Sequence, residues 1–309
     1  MPDAVVGKNV VISRGERVAL RDSDFVIPQG SITAIIGPNG SGKSTLLHAI
    51  AGLLPISSGA LSVLGATPQL SQPQIAYVLQ YTTVPKGTPL TVREAVGMGR
   101  YPSLGLLRRP RSQDRQRVRQ AMERLDITHL ADRHLAELSG GQRQRVYVAQ
   151  GITQDHSMLL LDEPLTGLDI NSAKTIDSII HEEPERGGSV ILTTHDIEEA
   201  RAANHVILTD GHVVASGYPE DVLTANNLAT AYGLGLLHEK DVSAPLFPTE
   251  HHDQAKAEPA IVKRMMAALE KKKGGGFLAG SARFCAGDQG RKVVLSRTGR
   301  VRTESIGDC

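Results

Sequence analysis

The sequence predicts an α/β fold built on a mixed, mostly parallel sheet, with an antiparallel strand region near its N-terminus and a helical insertion. Short apolar runs with strand character alternate with helical segments along much of the chain, and this alternation is typical of a parallel sheet with helices on both faces. From residue 85 to about residue 150, Arg, Gln, Leu and Ala replace the β-branched runs. That stretch predicts a helical subdomain inserted between strands.

The first elements are three short strands, separated by Gly, Asp and Ser, at residues 9–13, 17–20 and 24–27. A continuous apolar strand at residues 31–36 then leads into a glycine-rich loop. Leucine and alanine at helical spacing predict a helix over residues 44–54. Two more strands are expected at residues 60–65 and 74–80.

Later elements follow the same reasoning. Residues 111–127 place Val118, Met122 and Leu125 on one face, which predicts an amphipathic helix within the insertion. Apolar runs at residues 157–163, 189–195 and 205–217 predict strands. The last run contains Asp210-Gly211, which is a strong hairpin turn signal.

Composition excludes several classes of protein. The chain has 309 residues, of which 40% are hydrophobic and 22% charged, and no apolar run approaches the roughly 20 residues of a membrane helix. Charges interrupt every apolar stretch near the N-terminus, so we expect no signal peptide. Cys285 and Cys309 are the two cysteines, so most of the chain folds without a disulfide, as in a reducing cytosol.

The C-terminal part differs in charge from the rest. Residues 254–309 hold 12 Lys and Arg against 5 Asp and Glu, whereas the whole chain has a net charge of +1. This asymmetry marks a boundary, which we place between a main domain at residues 1–237 and a basic, partly disordered tail at residues 238–309. The tail is either simply solvated or a contact for acidic lipid headgroups or an acidic partner.

The glycine-rich loop carries the clearest chemistry. The sequence GPNGSGKST matches the pattern G-x-x-x-x-G-K-[ST] between a strand and a helix start, where backbone N–H groups and the helix dipole favour phosphate. Lys43 would reach the β- and γ-phosphates, Ser44 would offer its hydroxyl to Mg²⁺, and Thr45 would bond another phosphate oxygen. A plain strand–helix turn is the alternative, but the context favours a P-loop NTPase. The candidate ligands are Gly37, Pro38, Asn39, Gly40, Ser41, Gly42, Lys43, Ser44 and Thr45.

Four polar residues at strand ends could complete such a site. Asp162 ends the strand MLLLDE and could hold Mg²⁺ through water, while the adjacent Glu163 could polarise the attacking water. His195 ends SVILTTH and could donate a hydrogen bond to the γ-phosphate. Gln80 could reach the water or Mg²⁺ while connecting to the insertion. Alternatively, the acidic pair is a cap or salt bridge and the histidine is structural.

A second phosphate-binding pattern, LSGGQ, lies in the helical insertion. Ser139, Gly140, Gly141 and Gln142 offer a hydroxyl, N–H groups and an amide at a helix start, which suits anionic oxygens. The insertion can hold this pattern away from the phosphate loop of its own chain, so a second copy could supply it across a two-fold axis. The alternative is a serine N-cap followed by flexible glycines.

With these motifs the sequence resembles an ABC-type ATPase over residues 9–237. The resemblance rests on the phosphate loop, the LSGGQ signature, LLLDEP and GLD. It implies that two subunits sandwich two ATP molecules with Mg²⁺, each between one loop and the partner's signature, with Asp169 at the interface. It also implies docking on membrane permease subunits at the cytoplasmic side, an extracytoplasmic substrate-binding protein as indirect partner, and no nucleic acid.

The segments around the signature and His195 are most similar to those of ATPase subunits that serve importers of zinc or manganese. Similarity to the subunits of iron–siderophore importers comes second. The family usually has an aromatic residue that stacks on adenine where this chain has Arg14, and a guanidinium can also stack. The core motifs are also compatible with the ATPase subunit of an exporter. A soluble ABC ATPase acting on DNA or ribosomes is less favoured, because the chain has neither a long coiled coil nor a second phosphate loop.

Overall fold

The structure is a computed structural model. It describes residues 2–80, 85, 87–104 and 109–233, and the backbone of residues 291–295 and 301–305. The chain divides into two units, Met1–Leu246 and Phe247–Cys309. Most of the basic tail, including the residues beyond 238 that were predicted to be partly disordered, lies outside the described residues.

Strands of the first unit agree in position with most of the expected ones. The N-terminal strand is longer than predicted, because residues 3–8 also pair, with the strands at residues 25–28 and 58–63. In chain order the strands are β1 (Asp3–Arg14), β2 (Arg17–Leu20), β3 (Phe25–Pro28), β4 (Ile32–Ile36), β5 (Ser58–Val63), β6 (Ile75–Val78), β7 (Met158–Asp162), β8 (Ser189–Thr194), β9 (His205–Thr209) and β10 (Val213–Gly217).

Helices fill the connections between these strands. The first ends at Ile50 rather than at residue 54, because Gly52 follows with a φ of 69° that a helix cannot continue. The α-helices are α1 (Lys43–Ile50), α2 (Pro68–Ser71), α3 (Val92–Met98), α4 (Tyr101–Leu104), α5 (Ser112–Arg124), α6 (Gly140–Ile152), α7 (Ile170–Glu185), α8 (Ile197–Ala202), α9 (Pro219–Val222) and α10 (Ala225–Ala231). Within the described residues, no helix combines the length and the apolar composition that crossing a bilayer requires.

Two sheets organise the first unit. The larger has the order β10-β9-β4-β8-β7-β6, with every neighbouring pair parallel except the antiparallel β9–β10 hairpin. The smaller is antiparallel, with β1 paired to β2, β3 and β5. The mixed, mostly parallel sheet and the N-terminal antiparallel region expected from the sequence are therefore both present.

The larger sheet is buried on both faces. Alternate residues of β7 separate into two cores: Leu159 and Leu161 pack with the helices α3, α5, α6 and α7, whereas Met158 and Leu160 pack with α1 and the antiparallel sheet. This alternation follows from the two-residue period of a strand. Because the core strands are parallel, their carboxyl ends meet at one edge, where the site residues lie.

The second unit contains a two-stranded antiparallel hairpin, with β11 (Arg291–Leu295) paired to β12 (Val301–Ser305). The sequence did not predict these strands.

Candidate functional site

The phosphate loop lies between β4 and α1, as the motif predicts. Gly42, which precedes the helix, has a φ of 103°, and a Cβ there would meet the carbonyl oxygen of Ala19 at 2.8 Å, so only glycine fits. Lys43 begins α1 and is buried, and its Nζ donates hydrogen bonds to the carbonyl oxygens of Gly37 at 2.8 Å and Pro38 at 3.1 Å. The lysine therefore folds back over the loop.

A cavity of about 590 Å³ opens beside this loop. Its lining includes residues 39, 40 and 42–45 of the loop and the start of α1, together with Arg14, Val18 and Glu163. Burial lowers the pKa of Lys43, although the negative charges of Glu163 and Asp162 oppose that shift. The cavity thus combines loop backbone, a buried lysine and the carboxylate of Glu163.

Asp162 is held by two hydroxyl groups. Ser44 Oγ donates to Asp162 Oδ1 at 3.0 Å, and Thr193 Oγ1 donates to the same oxygen at 2.5 Å. Thr193 pairs with Asp162 in the parallel β7–β8 register. The buried carboxylate is therefore oriented toward Ser44 in the first turn of α1. These are oxygen donors, the type of ligand that Mg²⁺ prefers.

Glu163 has a strained backbone and a well-defined carboxylate. Its φ is 46°, in the left-handed region that non-glycine residues rarely adopt, and strain of this kind is frequent at functional sites. Its backbone N–H donates to Thr193 Oγ1 at 2.9 Å. Gln80 Nε2 donates to Glu163 Oε2 at 2.7 Å, and Thr166 Oγ1 donates to the same atom at 3.3 Å.

His195 follows β8 and is close to the same carboxylate. Its Nδ1 lies 3.7 Å from Glu163 Oε2, and its side chain is 55% exposed. This distance exceeds that of a hydrogen bond, so the imidazole lies beside Glu163 without bonding to it. The structure therefore brings together Gln80, Asp162, Glu163 and His195, which are far apart in the sequence.

The signature residues form a helix start outside this cavity. Ser139 Oγ accepts from the N–H of Gln142 at 3.3 Å, and Gln142 Oε1 accepts from the N–H of Ser139 at 3.1 Å. This is a capping box, so the serine N-cap alternative describes the local geometry. Ser139 is exposed and is not one of the residues that line the phosphate-loop cavity.

Gly141 connects the signature to the segment GLD. A Cβ at this position would lie 2.6 Å from Asp169 Oδ2 and 2.6 Å from Ser172 Oγ, so a side chain has no room. Asp169 is the N-cap of α7, and its Oδ1 accepts from the N–H of Ser172 at 2.9 Å. This backbone hydrogen bond lowers the pKa of Asp169. Within one chain, Asp169 therefore supports the packing of α6 against α7.

Three residues that sequence reasoning missed contact the predicted ones. Thr193 bridges Asp162 and Glu163, Thr166 contacts Glu163, and His48 contacts the guanidinium of Arg14. Thr193 lies two residues before His195, near the carboxyl end of a strand that the sequence predicts. That position alone could have marked Thr193 as a candidate site residue. For His48 the sequence offers no such signal, because His48 lies on α1 and Arg14 lies on β1.

The arrangement can bind a nucleoside triphosphate and hydrolyse it. The loop and Lys43 suit the phosphates, the hydroxyl and carboxylate oxygens near Ser44 suit a hard cation, and Glu163 can accept a proton from water. No group of three or more His, Cys, Asp or Glu that could hold a metal by themselves occurs among the described residues. The fold and site together define a P-loop NTPase.

Comparison with known proteins identifies the family. Residues 20–166 match the ABC transporter family. The chain is 37% identical over 246 residues to the zinc transport system ATP-binding protein TroB of Treponema pallidum (strain Nichols), which covers 79% of this chain and 90% of that relative. The chain therefore belongs to the ATP-binding proteins of ABC transporters, and it is an ATPase.

Other relatives and a solved structure agree with this family. The manganese transport system ATP-binding protein MntA of Synechocystis sp. (strain ATCC 27184 / PCC 6803 / Kazusa) is 37% identical over 220 residues, 70% of this chain and 85% of the relative. The ferric enterobactin transport ATP-binding protein FepC of Escherichia coli (strain K12) is 37% identical over 237 residues, 74% and 86% respectively. A metal-chelate-type ABC transporter in an inward-facing conformation superposes with a TM-score of 0.66 at 29% identity, covering 75% of this chain and 90% of that one.

Proposed function

We propose that this ATPase works as a homodimer at the cytoplasmic side of a membrane and energises an importer of a divalent metal cation, zinc or manganese. The observation that supports its catalytic part is the convergence of Gln80, Asp162 and Glu163 beside the phosphate loop. The observation that supports its cargo is similarity to a zinc and a manganese transport ATP-binding protein.

Hydrolysis is assigned to Glu163 as the group that polarises the attacking water. Its carboxylate is oriented by Gln80 and Thr166, so it can accept a proton with little reorganisation. Lys43 and the rest of the loop at residues 37–45 would hold the phosphates, and His195, beside Glu163, would donate to the γ-phosphate. Exposure of the imidazole leaves it free to turn toward that group.

Magnesium fits the same place. Ser44 and, through water, Asp162 would hold Mg²⁺. Gln80, whose Nε2 bonds Glu163, would contribute its amide oxygen. When bound there, Mg²⁺ neutralises part of the phosphate charge. The protein's own contribution is to hold Asp162 with two hydroxyl groups, so that the carboxylate is oriented before nucleotide arrives.

The second copy supplies the signature. Ser139, Gly140 and Gln142 are at an accessible helix start outside the cavity of their own chain, which supports a contact with the partner's nucleotide. Two chains related by a two-fold axis would then enclose two ATP molecules. Asp169, which supports the signature helix, would lie near this interface.

The membrane subunits have a candidate docking surface in the helical insertion. A groove of about 570 Å³ lies between α3 and α5, and Leu90, Val118 and Met122 are among its lining residues. Met98 and Tyr101 are also in this lining and are 38% and 59% exposed. Exposed apolar side chains around a groove suit an amphipathic helix of a permease.

The cargo assignment has one competing candidate. The similarity to FepC, a ferric enterobactin transport ATP-binding protein, equals that to the zinc and manganese proteins in percentage identity. An iron–siderophore importer is therefore the second candidate. An extracytoplasmic binding protein would select the cargo in either case, so the ATPase need not contact it.

Reconstituted vesicles that contain the native permease and binding protein test the cargo. We expect ATP hydrolysis to rise when the binding protein carries zinc or manganese and to remain at the basal rate with a ferric siderophore. The complex with the Lys43→Ala ATPase is the matched control, because it should assemble without hydrolysing ATP. Stimulation by the siderophore alone would overturn the cation proposal and favour the second candidate.

A further inference from the structure

The cavity beside the phosphate loop has a second wall with a different character. Arg14, at the end of β1, and Val18, on β2, both line it. Val18 is 49% exposed, so an apolar side chain is presented beside a planar guanidinium. With its phosphates on residues 37–45, ATP would extend its base along this cavity. A flat aromatic base suits such a wall, because a guanidinium can stack on it.

Arg14 has an unusual contact for a cation. None of the ion pairs found among the described residues includes Arg14. Its Nη2 is hydrogen-bonded to Nδ1 of His48. A guanidinium can only donate, so Nδ1 of His48 must accept and carry no proton. The arginine is therefore held by a neutral imidazole, and its charge is not cancelled by a carboxylate.

His48 is itself fixed by its surroundings. It lies on α1, one turn after Ser44, and its ring meets that of Tyr77 at a centroid distance of 5.6 Å and an interplanar angle of 82°. Edge-to-face contacts of this kind are favourable. Burial and then the charge of Arg14 lower the pKa of His48, which keeps the ring neutral at pH 7. The imidazole thus has both the orientation and the protonation state that the hydrogen bond needs.

We infer that His48 is a positioning residue for ATP, which holds the Arg14 guanidinium against the cavity wall where the base binds. His48 does not line the cavity, so it acts through Arg14 and not by touching the nucleotide. This inference rests on the proposed ATP site. It predicts that loss of His48 weakens binding of the base and leaves the phosphate contacts and the hydrolytic step unchanged.

The test uses the full chain and two ligands. ATP and inorganic tripolyphosphate, both with Mg²⁺, are titrated calorimetrically into the wild type, His48→Leu and His48→Gln, and KM and kcat for ATP are measured. For His48→Leu we expect Kd and KM for ATP to rise about three- to tenfold, the net effect of losing one hydrogen bond that positions Arg14. The kcat and the affinity for tripolyphosphate should stay within about twofold. Because the glutamine oxygen can still accept from Arg14, His48→Gln should recover most of the affinity.

A double variant and a control variant separate the positioning role of His48 from a general loss of structure. In Arg14→Tyr, whose ring can stack without help, adding His48→Leu should have no further effect on ATP binding. His181→Leu, on the exposed face of α7, should leave all constants unchanged. Equal losses for ATP and tripolyphosphate, a fall in kcat alone, or the same loss in the Arg14→Tyr background would overturn the inference. Normal ATP binding by His48→Leu overturns this inference only, whereas a wild type that binds no ATP overturns the proposed site as well.

Discussion

Gln80 Nε2 and Glu163 Oε2 are joined by a hydrogen bond of 2.7 Å. The bond connects residues just after β6 and β7, two neighbouring parallel strands of the larger sheet. Gln80 also stands at the start of the segment that leads into the helical insertion. A displacement of that segment would therefore change the orientation of the carboxylate that we assign to the attacking water.

Gln80→Ala should slow hydrolysis and leave nucleotide binding intact. Without the amide, the Glu163 carboxylate loses its shortest recorded hydrogen bond, so kcat should fall about tenfold or more while Kd for ATP changes less than twofold. Steady-state hydrolysis and calorimetric binding provide the two measurements. Gln72→Ala is the matched control, since Gln72 is an exposed glutamine whose Nε2 bonds the Gly52 carbonyl oxygen. An unchanged kcat for Gln80→Ala would separate the amide from catalysis.

Glu163→Gln should trap ATP. The amide cannot accept a proton from water, so turnover should fall about a hundredfold or more, while the phosphate loop and Lys43 remain complete. Size-exclusion chromatography with Mg-ATP should then show a dimer. Glu182→Gln, an exposed change on α7, should hydrolyse ATP normally and show no trapped dimer. Near-normal turnover by Glu163→Gln would remove this residue from the mechanism.

Lys43→Ala and Ser139→Ala should each abolish hydrolysis, but at different steps. Lys43 lies in the loop cavity, so its loss should abolish binding of ATP to the monomer. Ser139 lies outside that cavity, so its loss should preserve monomer binding but prevent dimerisation and hydrolysis. Calorimetry on dilute protein and chromatography with Mg-ATP distinguish the two.

Ser139→Ala also removes the N-cap of α6, and loss of such a cap lowers the free energy of unfolding by about 1 kcal/mol. A control must separate this loss of stability from the loss of dimerisation. Thr91→Ala removes the equivalent capping box of α3 in the same subdomain, and it should lower stability by a similar amount while keeping dimerisation. If Ser139→Ala weakens monomer binding as much as Lys43→Ala, the two-chain site is wrong.

Much of this geometry could be predicted because local patterns determine it. The loop, the strands that precede Asp162 and His195, and the Asp210-Gly211 turn all follow from apolar runs bounded by turn residues or glycines. The length of β1 could not be predicted in this way. Its first residues form a strand because they pair with β3 and β5, not because their own sequence has a strand pattern. The same limit applies to the Arg14–His48 contact, which depends on the packing of a strand and a helix 34 residues apart.

The Thr193 hydroxyl forms hydrogen bonds with both Asp162 and Glu163, and the strand register explains why it can. Parallel pairing places it beside Asp162, where its hydroxyl donates to that carboxylate and accepts from the N–H of Glu163. Thr193→Val should reduce kcat about tenfold, because both acids lose a positioning contact. It should also lower the free energy of unfolding by about 1–3 kcal/mol, since a buried donor and acceptor lose their partner.

The control for Thr193→Val is Thr153→Val. Thr153 is likewise buried, and its hydroxyl bonds the carbonyl oxygens of Val96 and Gln150 away from the site. We expect a similar loss of stability from denaturant unfolding but an unchanged kcat. Equal kcat values for the two variants would show that Thr193 has only a structural role.

Stability should depend on pH through Glu183, on α7. Its side chain is 7% exposed and contacts Arg124 at 3.1 Å and His156 at 3.3 Å. Burial raises the pKa of Glu183, but hydrogen bonds and charges from His156 and Arg124 outweigh it and leave the pKa below its ordinary value of 4.5. A carboxyl with a lowered pKa stabilises the folded state above its unfolded pKa, and that stability is lost as the pH falls through the folded pKa.

Glu183→Gln should therefore lower the free energy of unfolding by about 2 kcal/mol at pH 7, the range for a hydrogen bond to a charged group. Glu182→Gln is the matched control, because Glu182 contacts the same arginine but is 47% exposed, and an exposed pair contributes about 0–1 kcal/mol. Urea unfolding at pH 7 and at steps below pH 4.5 measures both variants. The difference between wild type and Glu183→Gln should shrink in the acid range, because protonation of Glu183 removes the same charge. A difference that stays constant across that range would show that the contact does not depend on ionised Glu183.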